Sequence, residues 1–138
     1  MASILKVDEL QGITAAGDIT VTSEGGAATQ SLQQGLAKAW GNVDGDTGPT
    51  LRDSLNVAAL TDVGTGRYDF HFSNSFRAAE QAGGGLARRS GVSRGCIVGL
   101  DSQGNELGTG VIGWSVANDA GVLEDQHNAV LMLVGDLA

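Results

Sequence analysis

The stretch Arg67-Tyr68-Asp69-Phe70-His71-Phe72 restricts the fold of this chain more than any other. Successive side chains of an extended strand point to opposite faces. The three rings therefore gather on one side, and Arg67, Asp69 and His71 on the other. Such a face needs an apolar layer to lie against. Just upstream, Val63-Gly64-Thr65-Gly66 supplies the backbone freedom of a tight turn. Before it, Leu55-Asn56-Val57 and Leu60 offer a second alternating segment, so the pattern predicts a β-hairpin with an aromatic face.

The remainder reads as the rest of a β-fold. Asp18-Ile19-Thr20-Val21-Thr22 alternates as a strand, and Ser3 to Val7 is a short apolar strand candidate. Trp40 is expected on a strand that ends at the turn-rich Asp44 to Thr50. Cys96 to Leu100, Gly110 to Val116 and Asn128 to Val134 are three further strands divided by Gly- and Asn-rich turns. The last is apolar on both faces, which places it centrally or at an interface. Gln30 to Ala39 is the one helical window, with Leu32 and Leu36 one turn apart. Gly35 weakens that helix by up to ~1 kcal/mol and keeps it short. Asn74 to Gly95 shows no period and reads as a long loop with one helical turn at Phe76 to Gln81. The expected fold class is mainly all-β, a β-sandwich or jelly roll with a short N-terminal arm and one short helix. Residues 1–36 would form the arm and helix, and 37–138 the sandwich domain.

Composition limits the function. With Gly 22, Pro 1 and 4% aromatic residues among 138, the core must rest mainly on small aliphatic side chains, and association is a natural remedy for so thin a core. A net charge of −8 repels phosphate backbones, so no nucleic-acid partner is expected. No run approaches the roughly 20 apolar residues that span a bilayer, so no membrane partner is expected either. The N-terminal residues lack a secretory pattern, which implies synthesis in a cytoplasm. Cys96 is the lone cysteine, so no intrachain disulfide is expected.

Several motifs invite chemistry and lack its context. Gly91-Val92-Ser93-Arg94-Gly95 matches a nucleophile elbow, and Asp125 and His127 follow in hydrolase order. The elbow needs a strand before it and a helix after it, whereas here a strand follows. Gly108-Thr109-Gly110-Val111-Ile112-Gly113 matches a dinucleotide fingerprint but runs into the strand at Trp114 instead of a helix. Asn42-Val43-Asp44-Gly45-Asp46, with Asp53, hints at a calcium loop, yet Thr47 holds the position that needs glycine. His71 and His127 have no partner at ligand spacing, and Cys96 reads as a buried small hydrophobe. Trp40, Tyr68 and Trp114 could stack a sugar, but rings in an aromatic-poor chain belong first to the core. No catalytic residue, cofactor or metal is expected. Arg88, Arg89 and Arg94 concentrate positive charge on an acidic chain and can orient it against an acidic neighbour, including another copy of itself.

The strings Gly35-Leu36-Ala37-Lys38-Ala39-Trp40, Arg52-Asp53-Ser54-Leu55-Asn56-Val57 and Thr61-Asp62-Val63-Gly64-Thr65-Gly66-Arg67-Tyr68-Asp69-Phe70 resemble a β-rich module of tailed-bacteriophage virion proteins, often tail-fibre-like. Ile4-Leu5-Lys6-Val7-Asp8 looks like the start of such proteins, and Val134-Gly135-Asp136-Leu137 is similar to their Phe-Gly-Asp ending. Asn74 to Gly95 departs from the pattern. The resemblance implies a non-enzymatic virion component, assembled as a homotrimer, located in the virion after synthesis in the host cytoplasm. A chain without a fibre shaft suits a capsid decoration (cement) protein bound to the major capsid protein. The alternative is a tail-fibre or host-receptor (glycan) binding protein attached to a tail protein. Attachment to the shell would use an arm, Ser3, Ile4, Leu5, Lys6 and Val7, and the loop cations Arg88, Arg89 and Arg94, whereas the glycan-binding alternative needs an exposed aromatic, Trp40 or Trp114.

Overall fold

A computed structural model describes residues 4–15, 18–23, 25–33, 35–46, 48–89, 96–101 and 107–138. The chain divides after Leu36 into two compact units. In the first, β1 (Thr20–Thr22) pairs antiparallel with β2 (Thr29–Ser31). Among the described residues the second holds eight strands: β3 (Ala39–Asp44), β4 (Thr50–Leu55), β5 (Val57–Gly64), β6 (Arg67–Phe72), β7 (Ala82–Arg88), β8 (Cys96–Leu100), β9 (Val111–Asn118) and β10 (Asn128–Val134).

These eight form two antiparallel sheets, β4-β3-β10-β7 and β5-β6-β9-β8. The fold is all-β and of sandwich type. Strand alternation decides what each sheet turns inward. Ala39 and Val43 of β3, with Ala129, Leu131 and Leu133 of β10, face Tyr68, Phe70 and Phe72 of β6 and Ile112, Trp114 and Val116 of β9. Tyr68 and Phe70 each lie 5.2 Å, centroid to centroid, from Trp114 in tilted contact, and Phe72 meets Phe76 edge-on at 4.9 Å. Each such pair contributes about 0.5–1.5 kcal/mol beyond its area burial. The hairpin read from the alternation is β5–β6, closed through Gly64 to Arg67.

Asn56 divides the segment that begins at Leu55. Its φ of +58° turns the chain from β4 in one sheet to β5 in the other. Asparagine adopts this left-handed conformation more readily than most residues with a Cβ. Its Oδ1 accepts from Asn74 N–H at 2.7 Å and its Nδ2 donates to Asn74 O at 3.0 Å, tying the corner to the end of β6.

Four expectations need correction. No helix forms among the described residues of Gln30 to Ala39. Thr29–Ser31 is drawn into β2 instead, Leu32 N–H donates to Ile19 O, and only Gly35 N–H to Ser31 O and Leu36 N–H to Gln33 O resemble a helical turn. One turn with glycine in it does not repay helix nucleation. The strand expected at Ser3 to Val7 is absent from its described part, since residues 4–10 are exposed and carry no ladder; Ser3 lies outside the described residues. The long loop at Asn74 to Gly95 contains β7, which pairs along its whole length with β10 from Asn128↔Arg88 to Val134↔Ala82. The helical turn expected at Phe76 to Gln81 is also absent, and Phe76 is instead buried and bridged to Leu137. Residues 90–95 lie outside the described residues.

Gly41 shows how closely the sheets approach. A Cβ there would stand 2.6 Å from Phe70 Cζ and 3.2 Å from Leu51 Cδ2. Gly41→Ala should therefore destabilise the domain by about 1–3 kcal/mol in urea unfolding. In a Phe70→Leu background the same change should cost clearly less, because the ring atom it strikes is gone; equal costs would contradict this contact.

Candidate partner-binding surfaces and polar clusters

Both sheets mix polar and apolar groups on their outer faces. On β5-β6-β9-β8 the outward positions include Thr61, Arg67, Asp69, His71 and Ser115 beside Val111, Ala117 and the 57% exposed Ile97. Arg67 bonds Asp101 through Nη2 at 2.6 Å and Nε at 2.8 Å, and the His71 ring lies 2.9 Å from Thr61 Oγ1. On the other sheet, the register aligns Leu55, Trp40, Met132 and Gly84 in one row across four strands. Val130 and Leu86 lie in the next row, and Leu86 is 78% exposed, Met132 49% and Leu55 46%. Trp40 is half-buried in that row, whereas Trp114 and Tyr68 are fully buried in the core. The three rings weighed as a sugar platform therefore do not share a surface. The apolar second face of β10, visible in the sequence, is this outer face.

The N-terminal residues offer a second apolar surface. Ile4 is 79% and Leu5 78% exposed, with Val7, Leu10 and Ile13 also exposed and Lys6 among them. Of the cations, Arg88 is exposed at the end of β7. Arg89 reaches Glu124, Nη1 to Oε2 at 3.0 Å, so part of its charge is met within the chain. Arg94 and Ser93 lie outside the described residues.

Asp125 and His127 enter different networks. Asp125 Oδ1 accepts from Gly66 N–H at 2.6 Å and from Tyr68 Oη–H at 3.2 Å, while Gly45 N–H donates to Gln126 O. Glu124 Oε1 accepts from Asn118 Nδ2 at 2.8 Å. Residues 124–126 thus buckle together the β3–β4 turn, the β5–β6 turn and the end of β9. Burial, with the Asp125 carboxylate beside it, pushes the Tyr68 phenol well above its ordinary value. Cys96 is half-buried, its Sγ 3.6 Å from Gln126 Oε1.

His127 instead joins the residues read as a calcium loop. Ligand atoms of Asp44, Asp46 and His127 lie within 4.8 Å of one another, a spacing that could hold a metal ion. Asp53 is not among them; its Oδ1 accepts from Ser54 N–H. Arg52 occupies the cluster as its cation. Its Nη2 stands 2.5 Å from Asp44 Oδ2 and 3.4 Å from His127 Nε2. Guanidinium has no acceptor, so Nε2 accepts and the proton sits on Nδ1, which donates to Asp46 Oδ2 at 3.1 Å. The sequence hid this arrangement because Asp46, Arg52 and His127 meet only through the β3–β4 turn and the approach to β10.

Comparison with family models, with curated proteins and with solved structures found no match.

The hydrogen bond from Arg52 holds the Asp44 carboxyl below the ordinary carboxylate range. Its stabilising contribution is present above that range and is lost as pH falls through the lowered value. Arg52→Gln should raise the Asp44 titration towards the ordinary value in carboxyl-detected NMR. An unmoved titration would break the assignment of Arg52 as the cation of this cluster.

Proposed function

We propose that the chain is a non-enzymatic structural protein of a bacteriophage virion, a capsid decoration protein that binds the outer shell and stabilises it. The observation that carries this reading is the outer row of the β4-β3-β10-β7 sheet. It presents Leu55, Trp40 and Met132 with the 78% exposed Leu86 beside them. Exposed apolar surface of this kind marks a place where another protein sits. Self-association as a homotrimer would cover that face. The exposed Ile4, Leu5 and Val7 would then add to an edge of the major capsid protein, gaining main-chain hydrogen bonds on binding. A ligand that binds only the assembled shell stabilises it by mass action. The acidic surface suits the side away from packaged DNA.

Trp40 supports a second reading, a tail-fibre or receptor-binding protein, because it is the one tryptophan that reaches the outer surface. Copy number separates the two. Quantitative mass spectrometry of purified virions should find hundreds of copies for a decoration protein and a handful for a tail part; none at all would exclude both.

Two variants test the surfaces. Removing the residues up to Leu10 should leave the unfolding midpoint of the 37–138 unit unchanged and abolish binding to shells stripped of the protein. The double variant Leu86→Glu, Met132→Glu should stay folded, since both sites are exposed, and sediment as a monomer. Undiminished shell binding by the truncated chain would refute the arm, and an unchanged sedimentation coefficient would refute the sheet face.

A further inference from the structure

β7 and β8 are neighbouring edges of the two sheets, and between them opens a cavity of about 250 Å³. Val98, Ile112, Leu131 and Leu133 supply apolar walls, Gly83 to Gly85 supply a wall of bare backbone, and no charged side chain lines it among the described residues. The glycines allow β8 to approach, since a Cβ at Gly85 would lie 2.5 Å from Val98 Cγ1.

Two polar side chains line the same cavity with hydrogen-bonding capacity unused. Trp114 is fully buried and its Nε1–H has no acceptor. Gln81 Oε1 is buried with no donor, while its Nε2 donates to Ala78 O at 2.9 Å and Gly108 O at 3.1 Å. Those two carbonyls fix the amide orientation, because a flipped amide would set oxygen against oxygen. A buried donor and a buried acceptor left unpaired in an apolar enclosure are unfavourable, and a ligand that meets both regains what folding forfeited.

We infer that this cavity binds a small uncharged amphiphile, with a ring or branched apolar body of about eight to ten non-hydrogen atoms and a hydroxyl group. The size follows from the volume, since a cavity of about 150 Å³ takes benzene. A hydroxyl accepts from Trp114 Nε1–H and donates to Gln81 Oε1. A charged molecule is disfavoured because nothing in the lining pairs with it. This site is independent of the virion reading and survives its failure.

The test uses the full chain with para-cresol and para-xylene, which share a shape and differ by hydroxyl against methyl. The two indole N–H signals of the 15N-labelled protein are followed by NMR, and Trp114→Phe assigns them. Cresol should shift the Trp114 signal saturably and leave that of Trp40 in place. Trp114→Phe should lower the preference for cresol over xylene about tenfold, the value of one net hydrogen bond. Gln81→Met should lower that preference in the same direction, and it keeps the indole, so it carries the test if Trp114→Phe does not fold. An unmoved Trp114 signal at millimolar cresol, a shift confined to Trp40, or an unchanged preference in Gln81→Met would overturn the inference.

Discussion

The domain depends on a layer of rings closed between two sheets. The chain has only six aromatic residues, and Tyr68, Phe70, Phe72, Phe76 and Trp114 are buried together. Three of them come from β6 alone. Each buried ring contributes on the order of 1.5–3 kcal/mol, so these few side chains carry a large share of a core otherwise built from Val, Leu, Ile and Ala. The opposing sheet makes room by keeping small residues opposite them: Ala39, Gly41 and Ala129 face inward from β3 and β10. Large rings on one layer and small residues on the other let the sheets approach closely at Gly41.

Polar interactions locate the ends of this sandwich. Asn56 ties the β4–β5 corner to Asn74, and residues 124–126 fasten the turns at Gly45 and Gly66. The Arg52, Asp44, Asp46 and His127 cluster joins the β3–β4 region to the approach of β10. Charges that the sequence offered as chemistry are thus engaged in connections between strands. Among the described residues, exposed apolar side chains remain uncovered on the outer row of the first sheet and along the N-terminal residues. Sheet chemistry and arm chemistry therefore point towards association, which is the basis of the proposed structural role.

Legibility in the sequence followed side-chain signal. β6, β9 and β10 were readable because large apolar residues alternate there, and Asn128 to Val134 matched the observed strand end to end. β7 was invisible because Ala82 to Gly85 carries almost no side chains, and its place is set by tertiary contact with β10 and Val98. The helical reading of Gln30 to Ala39 failed for the opposite reason: a real i, i+4 leucine pair was outweighed by pairing of Thr29–Ser31 with β1 and by Gly35. Asp44 and Asp46 were marked as a candidate cluster from spacing alone. Neither Arg52 nor His127 could be added, since long-range contacts leave no local pattern. The cavity at Trp114 was equally hidden, because it follows from absent Cβ atoms in a segment with no periodicity.

The alkaline titration of Tyr68 tests the sealed ring layer most directly, because it is the only tyrosine in the chain. Its value is raised in the fold, so the neutral phenol's contribution is intact below the ordinary value of about 10 and is lost as pH climbs above it. The account expects no tyrosinate absorbance as pH passes about 10, followed by its appearance together with loss of near-ultraviolet circular dichroism. Ordinary tyrosinate formation in a chain that keeps its tertiary signal would contradict it.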